Sequence, residues 1–118
     1  MSAPAATVLI VDDEAPARAR LRQLVGELPP YTVVGEAAHG EEALRLCGEL
    51  EPDVLLLDIR MPGIDGLAVA GHVASWPRRP AVVFTTAYDE YAIQAFEAQA
   101  VGYLLKPVRR ERLQQALE

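Results

Sequence analysis

Three stretches of this chain, Val8-Leu9-Ile10-Val11, Val54-Leu55-Leu56-Leu57 and Ala81-Val82-Val83-Phe84, are apolar at every position. A strand with one wet face alternates apolar and polar residues, whereas an unbroken run needs cover on both of its faces. Each run is far too short to cross a membrane. They read as central strands of a parallel sheet, and parallel neighbours must be joined by crossover segments.

The stretches between them supply those crossovers. Pro16 suits the first turn of a helix. Leu21, Leu24, Val25 and Leu28 then recur at helical spacing until Pro29-Pro30 stops it. Thr32 to Ala37 is a second strand, and Ala43, Leu44, Cys47 and Leu50 form an apolar stripe on a helix from Glu41 to Leu50. The third strand runs from Asp53 to Asp58. A turn-rich stretch, Met61-Pro62-Gly63-Ile64-Asp65-Gly66, leads into a helix from about Leu67 to Ser75. Ala81 to Thr86 is the fourth strand, followed by a short helix over about Asp89 to Ala98 with Ala92, Ala95 and Phe96 inward. Gly102-Tyr103-Leu104-Leu105 is the fifth, and a helix from Arg109 carries Leu113, Ala116 and Leu117. Five strands in strict alternation with five helices predict an α/β fold, a doubly wound parallel sheet with right-handed crossovers.

The 118 residues suit one compact domain. Residues 1–6 are small and uncharged apart from the terminus, without the basic start and long apolar stretch of a secretory signal, and read as a loose tail before a domain over 7–118. Glu118 follows barely three turns of helix and is expected to be a domain boundary rather than a natural terminus. A net charge of -6 argues against this segment gripping nucleic-acid backbones. Cys47 is the only cysteine, which excludes an internal disulfide and suits a reducing cytoplasm. No apolar run reaches the length of a membrane helix, so no membrane role is expected.

In an open parallel sheet, ligands bind beyond the carboxyl ends of the strands, where strand order reverses. Asp12 and Asp13 end the first strand and Asp58 ends the third. If those strands are neighbours, three carboxylates converge and repel, and a hard divalent cation with oxygen ligands removes that penalty. Mg²⁺ typically takes one or two carboxylates plus phosphate oxygens, so the crevice reads as built to receive a phosphoryl group. Thr86, closing the fourth strand, offers a hydroxyl to a phosphoryl oxygen. Lys106, closing the fifth, offers a positive charge. Such a transfer needs positioning and charge neutralisation more than covalent help.

Each residue also has a blander reading. Asp12-Asp13-Glu14 can cap the following helix, and Tyr103 can be a half-buried strand aromatic. Cys47 falls on an apolar stripe and belongs to the core, His39 and His72 lie outside the crevice, and Trp76 closes a helix end. Arg78-Arg79 and Arg109-Arg110 are short solvated pairs. Two rivals share the general architecture. A flavin-binding module wants a Ser-, Thr- or Gly-rich loop where this chain has three acids. A phosphatase of the haloacid dehalogenase type wants Asp-x-Asp, which Asp12-Asp13-Glu14 does not supply.

Taken together, Val8-Leu9-Ile10-Val11-Asp12-Asp13-Glu14, Pro52 to Gly66, Thr85-Thr86-Ala87 and Gly102-Tyr103-Leu104-Leu105-Lys106-Pro107 resemble the receiver domain of two-component response regulators. The resemblance covers about residues 7 to 118. It implies a flavodoxin-like sheet of order 2-1-3-4-5, with Asp58 as phosphoacceptor and Mg²⁺ (or Mn²⁺) served by Asp12, Asp13, Asp58 and the backbone carbonyl of Arg60. It further implies Thr86 as switch hydroxyl, Lys106 as phosphate-binding lysine, Tyr103 as aromatic switch and a cis bond before Pro107. Such a domain is not an enzyme beyond its own phosphorylation and autodephosphorylation. Its partner is a sensor histidine kinase.

Asp89-Glu90-Tyr91-Ala92-Ile93-Gln94-Ala95-Phe96-Glu97 is similar to the fourth helix of LytTR-type, AlgR- and LytR-like regulators, which carry a C-terminal DNA-binding domain. That similarity implies an output domain outside this chain. The receiver resemblance in turn implies a switching face made of the fourth helix, fifth strand and fifth helix, suited to a homodimer, with Tyr88, Tyr91, Gln94, Arg109, Arg110 and Arg112 exposed. A stand-alone receiver, acting as a phosphate sink or protein-only adaptor, stays open on the sequence.

Overall fold

The computed structural model describes residues 6–118. The strands are β1 (Ala6–Val11), β2 (Tyr31–Ala37), β3 (Val54–Asp58), β4 (Ala81–Thr86) and β5 (Gly102–Leu105). The helices are α1 (Ala15–Gly26), α2 (Gly40–Leu50), α3 (Gly66–Val73), α4 (Ala92–Glu97) and α5 (Arg110–Leu117). All strand pairs are parallel and the sheet order is β2-β1-β3-β4-β5, as the resemblance implies. Most of the expected tail lies outside the described residues, and Ala6 already belongs to β1.

Two cores flank the sheet. Leu9, Val11, Leu55, Leu57, Val82 and Phe84 pack beneath α2, α3 and α4, while Val8, Ile10, Leu56, Val83 and Leu104 pack beneath α1 and α5. This is the two-sided burial that unbroken apolar runs demand. Leu21, Leu24, Val25 and Leu28 all face the second core. Cys47 is buried in the first, and burial pushes its thiol up to about 11. His39 and His72 are exposed as expected, and His39 caps α2 by accepting a hydrogen bond from the Glu42 amide.

Several expectations are corrected. α4 begins at Ala92, because Asp89 to Tyr91 form a turn, and is only six residues long. Of its expected inward residues only Ala95 is buried; Ala92 is exposed and Phe96 is 83% exposed. Tyr91 packs against the core in their place and is half-buried rather than exposed. Leu50, at the last position of α2, is 40% exposed because the helix ends as it passes the sheet edge at β2. α3 stops at Val73 and α5 starts at Arg110, with Arg109 as its cap.

Candidate functional site

Strand residues alternate faces, so the side on which each site residue emerges can be counted from the cores. Asp12, Asp58 and Lys106 lie two residues beyond Ile10, Leu56 and Leu104, on the α1/α5 side. Thr86 lies two beyond Phe84 on the α4 side, the side on which Tyr103 packs. Simple period-two geometry therefore gathers three charged groups at one edge of the sheet and places the hydroxyl and the aromatic behind it.

The acids do converge. Asp12, Asp13 and Asp58 each offer a carboxylate oxygen within 4.8 Å of the others. Asp12 is fully buried, Asp58 nearly so, and Asp13 is exposed. Lys106 Nζ donates to Asp12 Oδ2 at 2.8 Å and stands 3.5 Å from Asp58 Oδ1. Asp12 is fixed from three sides: its Oδ1 accepts from the Glu14 amide at 2.9 Å and its carbonyl accepts from Arg18 Nη1 at 2.8 Å. Arg18 is itself held by Glu36 at 3.3 Å, which also pairs with Arg22.

Burial, reinforced by the nearby Asp12 and to a smaller degree Asp13, pushes the Asp58 carboxyl up to about 7, with Lys106 opposing. Burial alone would lower the Lys106 ammonium, but its hydrogen bond to Asp12 and the charge of Asp58 outweigh that and raise it. One lysine thus leaves three carboxylates short of positive charge. An all-oxygen, carboxylate-rich set of this kind fits a hard divalent cation.

The turn after β3 is shaped for the same edge. The Asp65 side chain caps α3 by accepting from the Ala68 amide at 2.9 Å. The Gly66 amide donates to the Ile59 carbonyl at 2.8 Å. A Cβ on Gly66 would lie 2.1 Å from the Asp58 carbonyl oxygen, so only glycine fits there. Arg60 sits on this loop, its guanidinium 4.8 Å above the Tyr88 ring.

Across the crevice, Thr86 is fully buried and its Oγ1 accepts from the Tyr88 amide at 3.1 Å. Tyr103 is half-buried, and its hydroxyl donates to the Tyr88 carbonyl. The Lys106–Pro107 peptide bond is cis. Arg18 and the Arg60–Tyr88 stack leave no spacing pattern in the sequence: Arg18 bends back to the Asp12 carbonyl and across to Glu36 on β2, and Arg60 meets Tyr88 from a separate loop.

The family model of the response regulator receiver domain matches residues 8–118. This chain is a response regulator receiver domain. The receiver is 57% identical over 112 residues to the positive alginate biosynthesis regulatory protein of Pseudomonas aeruginosa, covering 94% of this chain and 45% of that protein. It is 50% identical over 110 residues to the transcriptional regulatory protein BtsR of Salmonella typhi, covering 93% and 46%. It therefore spans less than half the length of these relatives.

Among solved structures, the response regulatory domain of protein mrkE from Klebsiella pneumoniae superposes with a TM-score of 0.87 at 33% identity, covering 94% of this chain and 91% of that one. The REC domain of AraT, a response regulator from Geobacillus stearothermophilus, gives 0.85 at 38% identity, covering 96% and 90%. Membership of this family leaves no place for the flavin-binding and dehalogenase readings.

Proposed function

We propose that this receiver accepts a phosphoryl group on Asp58 from a phosphohistidine of a sensor histidine kinase, in a reaction that requires Mg²⁺ or Mn²⁺. The observation that carries the reading is the gathering of Asp12, Asp13 and Asp58 around Lys106 at the carboxyl edge of β1, β3 and β5. An Asp58 carboxylate oxygen attacks phosphorus, the P–N bond to histidine breaks, and its electron pair leaves with the ring nitrogen. Asp12, Asp13, Asp58 and the Arg60 carbonyl would hold the cation, with Asp13 a direct ligand. The bound cation supplies charge neutralisation at the phosphoryl oxygens. Lys106 supplies a second positive charge there, and the Thr86 hydroxyl a hydrogen bond. Beyond its own phosphorylation and autodephosphorylation, the domain acts on no substrate.

Thr86 and Tyr103 are the switch. Thr86 holds the Tyr88 amide and Tyr103 holds the Tyr88 carbonyl, so moving Thr86 toward a phosphoryl group releases one of the two ties on that loop. The α4–β5–α5 face then changes its affinity for a partner, by no more than its differential affinity for the two states. Ile93, Phe96, Val101 and Leu105 are exposed on α4 and β5 or beside them, an apolar patch suited to a homodimer. The output is a DNA-binding domain of the LytTR type outside this chain, a reading supported by the identity with the alginate regulator. A cytoplasmic location follows from that role; no described helix is long and apolar enough to cross a membrane. No observation favours a stand-alone phosphate sink or adaptor.

The test is ³¹P NMR of the chain after mixing with Mg²⁺ and a phosphorylated histidine kinase. An acyl-phosphate resonance in wild type that Asp58→Asn lacks supports the proposal. The same resonance in Asp58→Asn would refute it.

A further inference from the structure

Thr85 Oγ1 is a buried side-chain oxygen with no hydrogen-bond partner among the described residues, and its residue is fully buried. An unpaired buried hydroxyl carries its desolvation penalty without return. Packing does not require it, since the preceding β4 residues Val82, Val83 and Phe84 are apolar and valine has the same shape.

The register gives this hydroxyl a neighbour. Thr85 stands opposite Asp58 on β3 and opposite Leu104 on β5, two residues before Lys106. It alternates with Phe84 and so lies on the same side of the sheet as Asp58 and Lys106. β4 separates β5 from β3, yet the Lys106 ammonium reaches Asp58 on β3 and Asp12 beyond β1. With neighbouring strands about 4.8 Å apart, the lysine stem must cross the end of β4 on the Thr85 side. An ammonium has three donors. This one is engaged by Asp12 at 2.8 Å and more loosely by Asp58 at 3.5 Å.

We propose that Thr85 is a positioning residue for Lys106, its hydroxyl being the acceptor that receives the ammonium when Lys106 leaves Asp12. The inference rests on Asp58 being the phosphoryl acceptor. Two events draw Lys106 away from Asp12: a cation taking the Asp12 carboxylate, and the added negative charge of a phosphoryl group on Asp58. In each, Thr85 holds the ammonium over β4, within reach of the phosphoryl oxygens, instead of letting it swing into solvent.

The experiment uses the whole chain as wild type, Thr85→Val, Thr85→Ser, Lys106→Met and the Thr85→Val/Lys106→Met double variant. Adduct formation with acetyl phosphate and Mg²⁺ is timed by intact mass. Thr85→Val slows it about tenfold, the loss expected for one hydrogen bond to a charged group, and Thr85→Ser restores it to within about twofold. Thr85→Val has no further effect once Lys106 is methionine, and its melting temperature is no lower than wild type. Equal rates for wild type and Thr85→Val, or the same fold loss in the Lys106→Met background, overturn the proposal.

A second readout needs no phosphodonor. Mg²⁺ titration moves the Lys106 Nζ and Cε resonances in wild type, and Thr85→Val changes that shift. Identical Mg²⁺-induced shifts in the two proteins overturn the positioning role. A wild type that forms no adduct but keeps the difference in shift would fail the phosphoacceptor reading alone.

Discussion

Lys106 is bound more closely to Asp12, at 2.8 Å, than to Asp58, at 3.5 Å. The lysine is thus anchored on the acid beside the one proposed to react. Its charge is held at the crevice without neutralising Asp58 at short range, and Asp58 remains the least satisfied of the buried carboxylates.

That imbalance sets a pH dependence. An ordinary aspartate titrates near about 4, whereas burial and Asp12 push Asp58 up to about 7. Between those values the folded protein keeps a proton that the unfolded chain has lost, so stability falls as pH rises. Below that window both states are protonated and the effect is absent; above it the penalty is complete. Asp58→Asn should flatten this slope and raise stability at pH 8 by about 2 kcal/mol, read from urea unfolding in EDTA at pH 5 and pH 8. A wild type that is no less stable at pH 8 than at pH 5 would contradict it.

Lys106→Met should move cation binding and phosphorylation in opposite directions. Removing the ammonium leaves three carboxylates with no opposing charge among them, which weakens the fold in EDTA and tightens Mg²⁺ binding. Adduct formation should slow at saturating Mg²⁺ because the phosphoryl oxygens lose a positive partner. Calorimetric Mg²⁺ titration beside the rate measurement checks both signs, and weaker Mg²⁺ binding in the variant would count against the charge argument.

Gly66→Ala tests the packing under Asp58. The new Cβ would meet the Asp58 carbonyl oxygen at 2.1 Å, against backbone that cannot yield cheaply. The expected loss is about 3 kcal/mol or more. Gly71→Ala, on the same helix with nothing within 4 Å of the added atom, should instead stabilise by about 1 kcal/mol. Thermal denaturation of the pair separates a steric requirement at Gly66 from a general intolerance of α3.

Much of this was legible because strand periodicity is strict. Once β1, β3 and β5 are placed, Asp12, Asp58 and Lys106 must emerge on one side of one edge. α4 was less legible because a helix of six residues has too few turns for its stripe to specify a face. Ala92, Ala95 and Phe96 fit an inward stripe on paper, yet Tyr91 takes the core position and Phe96 faces solvent. Thr85 was invisible for a different reason. A threonine in a β-branched strand reads as filler, and only the register shows that it borders Asp58.

The exposed Phe96 gives the face its own prediction. Phosphorylated wild type should sediment with a concentration-dependent increase that Asp58→Asn lacks, and Phe96→Glu should abolish that increase without slowing adduct formation. Identical sedimentation of phosphorylated wild type and Asp58→Asn at all concentrations would remove the homodimer from the account.

Thr86→Ala should leave the Tyr88 amide without its acceptor at 3.1 Å. Hydrogen exchange at Tyr88 should rise by about tenfold, while Asp58 still forms an adduct, more slowly. Unchanged protection at Tyr88 would mean that the loop is held by other contacts.

The most direct test of the central claim is intact mass after incubation with acetyl phosphate and Mg²⁺, beside Asp58→Asn and an EDTA control. The account predicts a single phosphoryl adduct in wild type, absent in the variant and in EDTA. An adduct that survives in Asp58→Asn, or none in wild type even with a phosphorylated kinase as donor, would contradict it.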